Sequence, residues 1–533
     1  MPNELLRRSF RPVLLALLAV ACRSTGAPAD SALSSRTDAG PGGLETGRSP
    51  ALPARSAPSY GVSAGQPVAG ALEIGDPYYP GLGNGGYDVE HYHLDLDLDS
   101  TSDELSAAVS LRARALHELA SFSLDLYGLE VESVLVDGAV ASFERRGPAP
   151  AADGKPAPPE ELVIQPAQPI ATGATFDAVV RYGGSPAGRP DPAIPFMPIG
   201  WSQTDSGVYV VSECIGASSW FPCNDHPSDK ATFSFRVTVD KPYTAAANGV
   251  LVEEIDLGER RTFVWKARDP MATYLATIAV AEFSVLELEG PRGIPVRIYH
   301  PKDSKEGELA PFRRQPEILG FLETVFGPYP FEAAGAVISY EQIGGALECQ
   351  TMPVYGRGMN EVVIVHELAH QWFGDCVSPA LWRDMWLNEG FASYAEWLWS
   401  ERERDKEGYE RHARTAYQRL RKSKTGSPFD PGVSRVFSSR VYTRGAMVLH
   451  GLRQEVGDET FFRILRTWVE TFDDANGSTE EFVRHAAEIA GRDLKPFFDA
   501  WLFSDVTPEL AQYEAHEDEA PADGASAEPE AGG

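Results

Sequence analysis

A chain of 533 residues is too long for one hydrophobic core and points to two or three domains. With 43% hydrophobic and 10% aromatic residues it can pack globular cores, which excludes wholesale disorder. A formal net charge of −30 argues against nucleic-acid binding, which needs clustered Lys and Arg, and fits a soluble acidic enzyme.

The N-terminus reads as a targeting segment. Arg7, Arg8 and Arg11 precede a short apolar run over 13–21, far below the ~20 residues needed to span a bilayer. The run ends Leu18-Ala19-Val20-Ala21-Cys22, which resembles a bacterial lipoprotein cleavage site with Cys22 as the acylated residue. Ala19 stands where Leu is commoner, and an ordinary secretory signal cut nearby is the alternative. Arg7-Arg8-Ser9-Phe10 also hints at twin-arginine export. Residues 1–22 are therefore expected to send the protein to the bacterial cell envelope, as a lipid-anchored periplasmic or surface protein. Residues 23–75, rich in Ala, Ser, Gly and Pro, read as a disordered tether with a reach on the order of 40 Å.

From Tyr87 the pattern changes. Tyr92, Leu94, Leu96 and Leu98 alternate with His93, Asp95, Asp97 and Asp99, as expected of a half-buried strand with an acidic outer face. Phe233, Phe235, Val237 and Val239 alternate in the same way. Several such segments predict an all-β domain over 76–288. His91 and His93 are expected to be solvated on an exposed strand face rather than to bind metal. After the strand-like stretch at 294–299, helical periodicity takes over, with Trp-rich helices from 361 to about 503, and a catalytic domain is expected over 289–508. Residues 509–533 read as an acidic disordered tail.

The chemistry concentrates in His366-Glu367-Leu368-Ala369-His370, followed by Glu389 in Trp386-Leu387-Asn388-Glu389-Gly390. On a helix, positions i and i+4 share a face, so His366 and His370 can aim ring nitrogens at one ion. Two neutral imidazoles and one carboxylate leave Zn²⁺ with about one net positive charge and an open position, where the pKa of bound water falls towards ~7. Glu367 lies to the side of that position, as a general base must. Asn360 is a candidate N-cap for the helix and Gly374 its stop. Glu396, seven residues after Glu389 and on the same helical face, is either a partner for a ligand His or a surface glutamate.

Four separated motifs together resemble the aminopeptidase N family of zinc peptidases. They are Phe221-Pro222-Cys223-Asn224-Asp225-His226-Pro227, Gly345-Ala346-Leu347-Glu348, the His366–His370 segment with Glu389, and Tyr442-Thr443-Arg444-Gly445-Ala446. The resemblance runs from about residue 76 to 508. It implies a multidomain α+β protein, with an N-terminal all-β saddle domain followed by a thermolysin-like, mostly helical zinc catalytic domain. It also implies removal of single residues from peptides with a free N-terminus. His366, His370 and Glu389 match the family's zinc ligands and Glu367 its general base. Glu348 and Glu213 match carboxylates that hold the substrate's α-ammonium, Gly345 and Ala346 match backbone that aligns the peptide, and Tyr442 matches the tyrosine that stabilises the tetrahedral intermediate. One Zn²⁺ per chain, peptide partners and a monomer are expected.

The sequence departs from the family's usual pattern in several places. Cys349 replaces Asn, Ser218 stands where Arg is common, and Arg444 replaces Lys. Gly344 removes a side chain near the family's first specificity pocket, so a roomy pocket is expected. The chain ends soon after the catalytic domain, without the helical domain that usually follows, which should leave the site open. Cys214 and Cys349 each follow an amine-holding glutamate, so a disulfide between them is one option; neighbours on a strand pointing to opposite faces argue against it. Two rival readings stay open, a thermolysin-like zinc endopeptidase and a catalytically silent peptide-binding relative. An epoxide-hydrolysing relative would usually carry Gln where Glu213 stands.

Overall fold

In the computed structural model, which describes residues 68–99, 104–147, 160–404, 406–423 and 426–514, the first alternating stretch lies within one strand, Tyr87–Leu98. Its Tyr92, Leu94, Leu96 and Leu98 are buried while Asp95 and Asp97 face out. A register shift between Val89 and His91 moves the buried set from odd to even positions, as a bulge does. The strand is central to an eight-stranded sheet, flanked by Leu105–Ala115 on one side and by the parallel strand Ala231–Asp240 on the other. His91 and His93 are half-buried and bond Thr232 and Ser234 of that neighbour, so they tie strands together rather than standing in solvent.

A second sheet of five strands leads to the site. Ile194–Gln203 pairs antiparallel with Gly207–Val211, which pairs in turn with Ile278–Ala281. The sheet of the second half starts at Phe283–Glu289, which pairs with Pro295–Pro301, so it reaches back across residue 289. Its far edge is the two-residue strand Ala346–Leu347, bonded on one side only, to Val354–Tyr355.

Helices then dominate: α1 (Gln315–Phe326), α2 (Glu361–His370), α3 (Trp386–Arg404), α4 (Lys406–Ser423), α5 (Tyr442–Val456), α6 (Asp458–Thr471) and α7 (Thr479–Ala490). The order expected from the sequence, a β-rich half followed by a mostly helical half, is the order observed. α3 and α5 cross with their backbones touching. A Cβ built on Gly390 would lie 2.9 Å from Gly445 Cα, so only glycine fits at either position.

The described residues belong to one compact unit, and the motif at 221–227 helps to join its halves. Asn224 bonds Asn84 and Tyr92, and His226 meets Asp76, which also accepts from the backbone N–H of Trp382. Lys230 donates to the backbone oxygens of Asp375 (2.7 Å) and Cys376 (2.9 Å), fixing the turn that follows the second histidine.

Two boundaries differ from the composition-based expectation. Val68–Ala69 already pairs with Leu119–Asp125, because backbone pairing of two residues needs no side-chain periodicity. At the other end Ala511–Glu514 is helical and Tyr513 is buried, with its hydroxyl bonding Glu410 and His450; one aromatic anchor is masked by the acidic run around it. The export segment 1–22 with Cys22, the tether up to residue 67 and the tail 515–533 lie outside the described residues. Among the described residues no helix is long and apolar enough to cross a membrane.

Candidate active site

The two histidines are positioned by a well-capped helix. The Asn360 side chain accepts from the N–H groups of Val362 (2.9 Å) and Val363 (3.2 Å), which starts α2 with its apolar face inward. His366 and His370, one turn apart, are buried with ring centroids 4.7 Å apart. His366 Nδ1 donates to Glu396 Oε1 at 2.7 Å, and His370 Nδ1 donates to the Phe373 carbonyl at 3.0 Å. Both partners are acceptors, so each ring carries its proton on Nδ1 and presents the Nε2 lone pair to the cleft. Glu396 thus orients His366, while Gly374, held at φ 131°, lies against His370, where a Cβ would stand 3.3 Å from Nδ1.

Glu389, in the first turn of α3, completes the set. Its Oε2 lies 2.9 Å from His366 Nε2 and 3.4 Å from His370 Nε2. A tetrahedral zinc with bonds of ~2.0–2.1 Å has ligand-to-ligand edges of about 3.3 Å, so these three atoms fit the ion. The cluster His366, His370 and Glu389 is also the first of three potential metal-binding groups among the described residues.

Tyr442 reaches the same carboxylate. Its hydroxyl donates to Glu389 Oε1 at 2.7 Å and its ring stacks on His366 with centroids 5.9 Å apart. The backbone contact between Gly390 and Gly445 makes this reach possible, because Glu389 and Tyr442 are one residue and three residues from it. Burial and the neighbouring Glu389 push the phenol's pKa well up, so it stays a donor.

Three more carboxylates converge beside the ligands. Glu367 lies with Glu348 and His370 in one cluster, and burial, only partly offset by His366 and His370, pushes its carboxyl up to about 8. Glu348 follows the edge strand Ala346–Leu347, whose backbone is fixed by Gly356 N donating to Gly345 O and by Gln371 Nε2 donating to Glu348 O. Glu213 follows the strand Gly207–Val211 of the β half, across a cis peptide bond from Cys214. Both are buried, and each has one oxygen without a hydrogen-bond partner, Glu213 Oε1 and Glu348 Oε1. Burial raises both carboxyls, and Glu348 and Glu389 raise Glu213 further. The pair therefore calls for a cation. Glu213 of the β half thus lies among Glu348, His366, Glu367, His370, Glu389 and Tyr442 of the helical half, with Gly345 and Ala346 on the stretch that leads to Glu348.

One open option is closed and one expectation is corrected. Cys214, Cys223, Cys349 and Cys376 are all free, so Cys214 and Cys349 form no disulfide. The glutamates before them point into the cleft, which turns the thiols the other way, Cys214 towards Tyr79 and Asp191 and Cys349 towards Thr277. The space left by Gly344 is not open either. A Cβ there would lie 3.0 Å from Met197 Sδ, so a side chain from strand Ile194–Gln203 fills the place. Sequence reasoning missed Met197 and Gln371, because neither carries a pattern; only the fold sets Met197 on Gly344 and Gln371 on the Glu348 carbonyl.

Comparison with known proteins agrees with this geometry. The family model for the Peptidase family M1 domain matches residues 327–501, and that for the Peptidase M1 N-terminal domain matches residues 88–275. The crystal structure of an M1 zinc metallopeptidase from Deinococcus radiodurans is similar at 30% identity and a TM-score of 0.75, covering 82% of this chain and 98% of that one. That enzyme's mutant has been solved bound to a Tyr-Ser-Ala substrate. Mitochondrial aminopeptidase 2 of Saccharomyces cerevisiae is 28% identical over 53% of this chain and 32% of its own length. Aminopeptidase M1-A of Oryza sativa subsp. japonica is 28% identical over 54% of this chain and 36% of its own length. The chain thus spans about a third of the length of those two relatives.

Proposed function

The chain belongs to the M1 family of zinc peptidases, and from that premise we propose that it removes single residues from peptides with a free N-terminus. The observation that carries the reading is the pair of buried carboxylates, Glu213 and Glu348, each holding an unpartnered oxygen beside the metal ligands. An ammonium group supplies the missing donors and charge, and fixes the chain start one residue from the ion. An endopeptidase has no use for such anchors, and a silent relative has no need to keep Glu367 with all three ligands.

His366, His370 and Glu389 would hold the zinc, which when bound would supply a Lewis acid to polarise the scissile carbonyl and acidify water. The protein's own groups do the rest. Glu213 and Glu348 bind the α-ammonium, and the free side of the Ala346–Leu347 edge, with Gly345, pairs with the peptide backbone. Glu367 takes the proton of the attacking water and hands it to the leaving amine. The Tyr442 hydroxyl exchanges its bond to Glu389 for one to the developing oxyanion, to which its single proton is then donated.

We further infer export to the cell envelope with a lipid anchor at Cys22, supported by the Arg-rich start, the apolar run and the lipoprotein-like Cys22 site. A monomer suffices, since one chain supplies every group named. Mass spectrometry of a digested decapeptide tests the activity. The expected products are the peptide shortened from its N-terminus one residue at a time, stopped by a chelator and restored by Zn²⁺. Internal cleavage products would overturn the reading.

A further inference from the structure

We propose that Met197 determines which N-terminal side chains the enzyme accepts, by forming the movable apolar wall of the pocket for the substrate's first residue. This rests on the aminopeptidase reading above and names the specificity of that same site.

Three observations place Met197 there. Strand Ile194–Gln203 pairs with Gly207–Val211 in the register Gly200↔Val211, so the segment before Gly200 lies at the same end as Glu213, two residues past Val211. Cys214 N also donates to Asp191 at 3.4 Å, and Asp191 sits on the strand paired with Ile194–Gln203, which brings the residue after Glu213 to the same hairpin. Finally, the Met197 thioether lies on Gly344, with Sδ 3.0 Å and Cε 3.6 Å from where a Cβ would stand. Gly344 directly precedes the Gly345–Leu347 edge that leads to Glu348. Met197 thus closes the gap between the two chain segments that carry the amine anchors. A substrate held by its ammonium between those anchors must project its first side chain at this wall.

The chemistry of the wall follows from its residues. A thioether on three rotatable bonds is apolar and adaptable, so it moulds to leucine-, methionine- or phenylalanine-sized groups. Pro195 and Pro198 fix the backbone on either side, so the side chain adapts rather than the strand. Glycine at 344 is required by its left-handed backbone, φ 90°, and its missing side chain leaves the space that the methionine occupies. The wall therefore disfavours acidic and very small first residues.

The test is a kcat/KM profile of the zinc-loaded full chain on Ala-, Leu-, Phe-, Arg- and Glu-arylamides. The parent should prefer Leu and Phe over Ala and Glu by about 10-fold or more. Met197→Ala should raise the Phe/Leu ratio about fivefold by widening the pocket, and Met197→Glu should shift preference to Arg by about 10-fold. Met197→Leu should retain the parent profile. If Met197→Ala does not fold, the near-isosteric Met197→Gln should still lower the Leu/Arg ratio. Profiles parallel to the parent in Met197→Ala and Met197→Glu would overturn the inference while leaving the aminopeptidase reading standing. A parent that cleaves none of the five would overturn both.

Discussion

In the β half, the buried acids Asp225 and Asp229 are satisfied by their own fold. Asp225 Oδ2 accepts from the N–H of Ser218 and its Oδ1 from the hydroxyl of Thr273. Asp229 accepts from Val89 N and Asn224. At the cleft, Glu213 and Glu348 are buried as deeply, yet each keeps an oxygen without a donor. Burying a carboxyl unpaired costs several kcal/mol, about as much as a large fraction of a domain's net stability. Asp225 and Asp229 have a protein donor on each oxygen, whereas the cleft leaves one oxygen of each glutamate for a donor on a ligand.

The comparison can be broken at several points. Glu367→Gln should lower kcat by about 10⁴-fold with zinc content unchanged by elemental analysis, because it removes the proton acceptor and no ligand. A smaller loss would mean that another group takes the proton. Tyr442→Phe should lower kcat by about 10²–10³-fold with KM nearly constant, as expected for a bond made in the transition state. A rise in KM alone would assign the tyrosine to ground-state binding. Glu213→Gln should lower kcat/KM by about 30-fold, about 2 kcal/mol, mostly through KM.

The smallest effect sharpens the other side. Burial, reinforced by Asp88, pushes the Asp229 carboxyl up to about 8. Its pKa is raised on folding, so its contribution to stability is largest below about pH 4 and is lost as pH rises to about 8. Asp229→Asn should therefore flatten the decline of Tm over that window relative to the parent and leave kcat/KM unchanged. An unaltered pH dependence would show that Asp229 does not titrate differently on folding.

Which parts were legible in the sequence follows from which contacts are local. The His366–His370 pair and the alternation at 92–98 are set by helical and strand periods, so a few residues suffice to read them. Glu389 and Tyr442 lie 23 and 76 residues from His366 and meet it only because Gly390 and Gly445 let two helices touch; their motifs were recognisable, but that cause was not. Met197 and Gly344 are 147 residues apart and share no period, so the space at Gly344 looked empty until the fold filled it. The same holds for Tyr513, whose burial beside His450 is invisible within an acidic run.

The most direct measurement compares kcat/KM for leucyl-arylamide with that for its N-acetyl form, using the zinc-loaded enzyme. If Glu213 and Glu348 await an ammonium, acetylation should cost about 10⁴-fold, and each Glu→Gln change should narrow the gap. Equal rates for the free and acetylated forms would contradict the account.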